Sequence, residues 1–339
     1  MNRYAQVITQ AGIPRFLDMA WGEKRLTVLT YHRINDADAP DFPYARYNVS
    51  ASPEDFARQM DYVARHFNVI GLEALRAFVQ DGMPLPPRPM LITFDDGYRD
   101  NYVHAYPILR MRGMPAVIFL YTSRMDDPTP PWWDECAHHI ERTLLAHATL
   151  PLIGPQDLST PDRRDEAHDR FVERFKALPE SEKPETLEAF RAALRADPLP
   201  PDRDLFLTWD EVRELVAGGV ACQPHTVSHP ILTRINPDQV QRELTDSRAQ
   251  VAEQTGQPAY AFAYPNGLQG DYDAHTMAVL RKSGYELAFT LLDGPMRADA
   301  VRRNPLEIRR IHITHRDSFE RFILKVMGMR RLIRLVARR

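Results

Sequence analysis

Short apolar runs rich in β-branched and aromatic residues recur along this chain of 339 residues. Most give way to a helical segment. Residues 26–31, 68–70, 89–94, 115–121, 220–223, 259–264, 285–290 and 308–314 read as strands. Ser52-Pro53-Glu54-Asp55 opens a helix, with Ser52 as N-cap and Pro53 at the first helical position, and Phe56, Met60, Val63 and Phe67 continue its apolar face. Thr208-Trp209-Asp210-Glu211 is a capping box. Further helices are expected over 72–79, 98–112, 237–255 and 272–283. Apolar strands alternating with helices predict a parallel sheet, open or closed into a barrel. The alternation lapses over 123–205, where prolines, the cluster Trp132-Trp133-Asp134 and helical stretches at 134–148 and 165–178 stand without a β-rich run. A mostly helical insertion is therefore expected within one domain, whose barrel comes from 25–122 and 206–315. A terminal helix, Ser318 to Arg338, closes the chain.

Three of these strands run into polar motifs. The first delivers Asp95-Asp96-Gly97, the second Pro224-His225-Thr226-Val227-Ser228-His229-Pro230, the third Tyr264-Pro265-Asn266-Gly267. Taken singly, each has an ordinary reading: Asp-Gly is a common turn pair, two histidines four apart often occupy a plain loop, and Pro-Asn-Gly predicts a turn. Together they lie at the C-terminal ends of predicted strands, where parallel α/β folds gather their sites. Adjacent carboxylates repel unless a cation or a shared proton relieves them, and neighbours on an extended chain point in different directions. One carboxylate with two histidines makes a three-ligand set with open positions, the pattern of catalytic metals.

A net charge of −3 gives no ground for a polyanionic partner such as nucleic acid. Cys136 and Cys222 are far apart and read as free thiols of a reducing compartment. Met1 to Trp21 lacks an uninterrupted apolar core, and no run approaches the ~20 apolar residues of a spanning helix, so a cytoplasmic protein without a signal peptide is expected. The terminal helix carries Phe319, Phe322, Ile323, Val326, Leu332, Ile333 and Val336 among many arginines. Such a helix either docks on the barrel with a basic outer face or lies on the anionic inner surface of the membrane.

Thr93-Phe94-Asp95-Asp96-Gly97 followed by His225-Thr226-Val227-Ser228-His229-Pro230 resembles the polysaccharide deacetylase family, whose shared unit is the NodB homology domain of carbohydrate esterase family 4. The resemblance implies an α/β fold, a distorted (β/α)7 barrel, and a single divalent metal that helps hydrolyse N-acetyl groups of sugars. Carried over, Asp96, His225 and His229 bind the metal and Asp95 is the general base. Zinc is the expected ion, although carboxylate/His₂ sites also accept cobalt, nickel or iron. The Phe-Ala-Tyr-Pro-x-Gly motif and the pair Tyr31-His32 on the first strand resemble the branch that deacetylates exopolysaccharides, and the Trp132-Trp133-Asp134 cluster is similar to members found with surface-polysaccharide biosynthesis.

The chain departs from the family pattern at Ala263, where many members carry an arginine that orients the base. Strand alternation puts Ile308, Arg310 and His312 on one face, so Arg310 is the expected replacement. His32 is the expected general acid, in the manner of a circularly permuted branch, with His312 the other candidate. Tyr264, through its backbone N–H, is expected to steady an oxyanion in the turn with Pro265 and Asn266. Trp132, Trp133 and Tyr264 are candidates to stack on a sugar ring, against an ordinary packing role. The expected substrate is an N-acetylated sugar of a polysaccharide, oligosaccharide or lipid-linked saccharide. Two other readings stay open: an amidohydrolase acting on a non-sugar C–N bond, and a catalytically silent carbohydrate-binding relative.

Overall fold

A computed structural model describes residues 25–39 and 42–329. Seven parallel strands form its frame: β1 (Arg25–Tyr31), β2 (Pro89–Phe94), β3 (Val117–Leu120), β4 (Ala221–Pro224), β5 (Ala261–Ala263), β6 (Leu287–Phe289) and β7 (Ile311–His312). β1 pairs with β2 on one edge and β7 on the other, and the ladder continues from β2 through β3 to β4. β5 pairs with β6, and a parallel bridge from Phe289 to Ile308 carries the ring on toward β7. Between β4 and β5 a side chain does the joining. Gln223 Oε1 accepts from the backbone N–H groups of Tyr260 and Ala261, at 2.9 Å each.

Side chains alternate across this ring, as a pleated strand requires. Val28, Leu91, Val117, Phe119, Ala261, Ala263, Leu287, Phe289 and Ile308 pack together in the interior. Their neighbours Leu29, Ile92, Ile118 and Leu120 belong to a separate cluster beneath the helices Pro53–His66 and Trp209–Ala217. Phe262 and Ala288 face the helices Pro237–Thr255 and Ala274–Lys282. The same parity continues past β2 and turns Asp95 inward on the heels of Leu91 and Thr93.

The helix starts follow their caps. Ser52 Oγ accepts from Asp55 N, and both halves of the Thr208/Glu211 capping box are made. Three segments differ from sequence expectation. Residues 147–150 and 154–157 form an antiparallel hairpin inside the insertion, which also holds helices Trp132–Arg142, Pro161–Lys176 and Lys183–Leu194. The hairpin segments, His-Ala-Thr-Leu and Gly-Pro-Gln-Asp, carry almost no β-branched residues, so propensity gave no sign of them. The last strand is shorter than expected, because residues 309–310 leave the ladder. The terminal helix covers only Phe319–Val326 of the described residues and ends before Gly328, whose φ is +68°. It docks on the helix Pro53–His66 through Phe319 and Phe322 against Tyr62. Leu332, Ile333 and Val336, and Met1 to Trp21, lie outside the described residues. Among the described residues no helix is long and apolar enough to cross a membrane.

The insertion has its own small core, in which Cys136, Ile140, Leu150, Phe171, Phe175 and Phe190 are buried together. Asp134 ties it to the barrel: its carboxylate, with no exposed surface, accepts from Ala45 N at 2.8 Å and from the Tyr98 hydroxyl at 3.1 Å.

Candidate active site

The interior face of the ring ends, at the C-terminal side of the strands, in Asp95, Arg310, His225 and His312. Arg310 is fully buried and grips Asp95 with both arms: Nη1 donates to Oδ1 at 2.7 Å and Nη2 to Oδ2 at 2.8 Å. Its Nε donates to Thr290 O at 3.0 Å, so the fork is fixed in its plane. Burial alone would raise the Asp95 carboxyl, but Arg310, and after it His225, outweighs that cost and holds it below the usual carboxylate range. Arg309, the other residue of that parity choice, has a buried neighbour on each side and is itself exposed.

Asp96 leaves the strand with φ +73°, a left-handed conformation that points its carboxylate away from that of Asp95. Its Oδ1 is buried and makes no hydrogen bond. It lies 3.3 Å from His229 Nε2 and 3.6 Å from His225 Nε2. The three ligand atoms all fall within 4.8 Å of one another, the only such group of three among the described residues. Donors held about 2.0–2.2 Å from one ion stand roughly 3–4 Å apart, so this set fits a divalent cation, and the orphaned carboxylate oxygen is the atom such an ion would satisfy. His225 is oriented for it. Burial pushes its pKa down to about 4, and its Nδ1 lies 2.7 Å from the Ala263 carbonyl, a contact that assigns the proton to Nδ1 and leaves Nε2 as a lone pair. Ala263, which lacks the family's arginine, thus contributes through its backbone.

The loop carrying the two histidines is held by a residue that motif reading missed. Glu243, on the helix Pro237–Thr255, accepts from Val227 N at 2.8 Å and Ser228 N at 2.9 Å, and from the Ser228 hydroxyl. The signal was present: Val240, Leu244, Ser247 and Val251 mark the buried face, and Glu243 lies on it. A carboxylate on the apolar stripe of a helix has to be serving donors. Thr226 (φ +70°), His229 (φ +59°) and Asn266 (φ +60°) join Asp96 in the left-handed region, so backbone strain gathers where the side chains converge. Glu243→Ala is expected to weaken metal binding roughly 10- to 100-fold and to lower the melting temperature. Titration with zinc and a thermal scan on one preparation check both, and unchanged metal affinity would show that the loop keeps its shape unaided.

A cavity of about 300 Å³ opens over these groups. Asp95, Asp96, His225, His229, His32 and His312 form its floor. The His32 and His312 rings meet edge to face, with centroids 5.2 Å apart, and His32 Nδ1 is buried without a partner. Burial, aided by His32 and Lys325, pushes His312 down to about 3. Trp132, Trp133 and Asn266 line the walls. Trp133 is also a packing residue, its Nε1 donating to the Tyr98 hydroxyl at 2.8 Å and its ring lying 5.1 Å from that of His229.

Two expected contacts are not made. The Tyr264 side chain is buried under the helix Ala274–Lys282, with its hydroxyl on Leu306 O at 2.9 Å and its ring stacked on Tyr272. Its backbone N–H donates to Phe289 O at 3.0 Å, so the ladder takes the donor that an oxyanion would need. Pro265 is likewise buried and off the cavity wall, and Asn266 alone of that turn reaches it. Strand alternation accounts for Tyr264: with Ala261 and Ala263 inside, Phe262 and Tyr264 face out.

Residues 82–288 match the family model described as polysaccharide deacetylase. The chain belongs to the polysaccharide deacetylase family. It is similar to two further proteins. A provisionally named polysaccharide deacetylase of Bacillus subtilis is 23% identical over 279 residues, covering 81% of this chain and 67% of that protein. The poly-β-1,6-N-acetyl-D-glucosamine N-deacetylase of Escherichia coli is 28% identical over 111 residues, 33% of this chain but only 16% of that enzyme. Among solved structures, a Streptococcus pyogenes deacetylase in complex with acetate superposes with a TM-score of 0.58 at 21% identity, over 90% of this chain and 99% of that one. IcaB of Ammonifex degensii gives 0.55 at 20% identity, over 90% and 97%. At such identities the superpositions speak for the NodB-type fold, and this deacetylase shares it.

Proposed function

We propose that this chain is a metal-dependent hydrolase that removes N-acetyl groups from an N-acetylated sugar, with zinc as its ion. The observation that carries the reading is the pairing of two carboxylates with separate surroundings on one cavity floor: Asp96 with two histidines, Asp95 with an arginine. The polysaccharide deacetylase match and the N-acetylglucosamine deacetylase among its relatives support the substrate class.

Asp96, His225 and His229 would hold the ion. Bound there, it would polarise the acetyl carbonyl, acidify a water and offset the negative charge of the tetrahedral stage. Asp95 is the general base: ionised by Arg310 and fixed by two hydrogen bonds, it keeps lone pairs on both oxygens for the attacking water's proton. His32 is the proton donor to the departing amine. Its partner His312 is held neutral by burial, which makes His312 the poorer proton donor of the two. His32→Ala is therefore expected to lower kcat by about 100-fold or more and His312→Ala by less, as judged by acetate release at saturating substrate. The reverse order would exchange their roles.

The reading itself is tested by acetate release from N-acetylhexosamine oligomers, from the same sugars linked to lipid or nucleotide, and from simple formamides and cyclic amides. Activity is expected on the sugars, to vanish with a chelator, and to return with zinc, and cobalt, nickel and iron serve as comparisons. Release from the non-sugar amides alone would replace the sugar reading.

A further inference from the structure

The insertion brings two ammonium groups to the same cavity. Lys176 ends the helix Pro161–Lys176 and Lys183 begins the helix Lys183–Leu194, and both line the space above the Asp96, His225 and His229 cluster. The environment opposes them. Burial lowers the pKa of Lys176, outweighing the pull of the more distant Asp271 and Asp96 carboxylates, and a divalent ion on the floor would repel both lysines. Lys183 has Glu180 as counter-charge and sits over the Phe175 ring. Lys176 makes no salt bridge among the described residues, and it donates a hydrogen bond to the neutral Asn266 Oδ1, at 3.1 Å. An ammonium has three donors, so that bond leaves two unused. The carboxylate in this turn, Asp271, accepts through Oδ2 from Asn266 Nδ2 at 2.6 Å and Leu268 N at 2.8 Å, and it forms no salt bridge with Lys176 among the described residues. A partly buried cation with free donors at the wall of a substrate cavity fits a negatively charged ligand.

We propose that Lys176, assisted by Lys183, forms an anion subsite, and that the sugar deacetylated here carries an oxyanion group, a phosphate ester or a carboxylate, beside its N-acetyl group. The inference rests on the de-N-acetylase reading for the acetyl half of the substrate and on the insertion for the anionic half. Asn266, the one left-handed residue of its turn that reaches the cavity, is held between Lys176 and Asp271 and sets the ammonium's position. The side chains Leu268, Ile231 and Leu291 are apolar, so Lys176 and Lys183 are the cations that line the cavity.

The test compares acetate release by the zinc-loaded full chain from three substrates: a neutral N-acetylglucosamine oligomer, N-acetylglucosamine 1-phosphate, and an N-acetyl disaccharide bearing a uronate. One charge-assisted hydrogen bond is expected to favour an anionic substrate by about tenfold or more in kcat/KM, mostly through KM. The phosphate and uronate arms decide which oxyanion it is. Lys176→Gln keeps an N–H for Asn266 but removes the charge, so the anionic-to-neutral ratio should fall toward one, while Lys176→Arg should retain it. Lys183→Gln should reduce it in part, and zinc content and melting temperature confirm that each variant is folded. Equal kcat/KM for all three substrates in the wild type, or a ratio that Lys176→Gln leaves unchanged, would overturn the proposal. If no sugar yields acetate, the de-N-acetylase reading fails by itself. Binding of the phosphate sugar, followed by tryptophan fluorescence, then decides the subsite: saturable binding weakened about tenfold by Lys176→Gln upholds it, and absent or equal binding rejects it.

Discussion

Asp95→Asn is expected to lower kcat by about two to four orders of magnitude while the protein still binds one zinc tightly. The reason is the division between neighbours. The Asp95 carboxylate touches Arg310 on both oxygens, and no atom of Asp95 belongs to the Asp96, His225 and His229 cluster. An amide keeps the shape and one acceptor for the guanidinium but cannot take a proton from water. Single-turnover acetate release, set beside metal content by elemental analysis, separates the two effects. A variant that lost its zinc would place Asp95 among the ligands, and one with near-wild-type turnover would remove it from the chemistry.

Arg310→Met is the second large effect, and its first sign is in stability. Arg310 has no exposed surface and Asp95 almost none, so removing the cation strands a buried carboxylate. Breaking such a pair on one side typically costs about 3–5 kcal/mol. The stranded carboxyl should also lose its depressed pKa, leaving less of the ionised base at neutral pH, so kcat falls as well. The double variant Asp95→Asn with Arg310→Met discriminates the causes. If the stranded charge is responsible, the double variant should be more stable than Arg310→Met alone, as chemical denaturation would show. Two costs that simply add would mean that Arg310 is held by packing over Phe119, 5.7 Å from its guanidinium, and by Thr290 rather than by Asp95.

The frame and the cluster were legible because periodicity and motif agreed. Continuous apolar runs marked the barrel strands, and the same parity that singled out Arg310 over Arg309 also turned Asp95 inward. Tyr264 shows where that argument was not carried far enough: the parity that puts Ala263 inside puts Tyr264 outside, and a backbone N–H at a strand end was already spoken for by the ladder. The hairpin at 147–157 was illegible for the opposite reason, since its residues carry little strand propensity and it forms because the insertion's core covers it. Glu243 lay on the apolar stripe of its helix, but what it serves becomes visible only once a loop sixteen residues earlier folds back onto it. Lys176 gave no local sign at all. Ninety residues separate it from Asn266, and only the fold of the insertion brings them together.

The insertion keeps a core of its own and meets the barrel at Asp134, at Trp133 beside His229 and at Lys176 on Asn266, so it walls the cavity while the strands carry the bond-breaking groups. That arrangement divides the molecule into a barrel that carries the reacting groups and a collar that shapes the way in. Remodelling the collar, by a longer hairpin or a helix end with a different charge, would change which saccharides are admitted without touching how the amide is cleaved. For an engineer seeking new sugar selectivity, the part of 123–205 that folds around its own phenylalanines is the place to begin, with Trp133 and Asp134 left alone because they pack on His229 and the barrel.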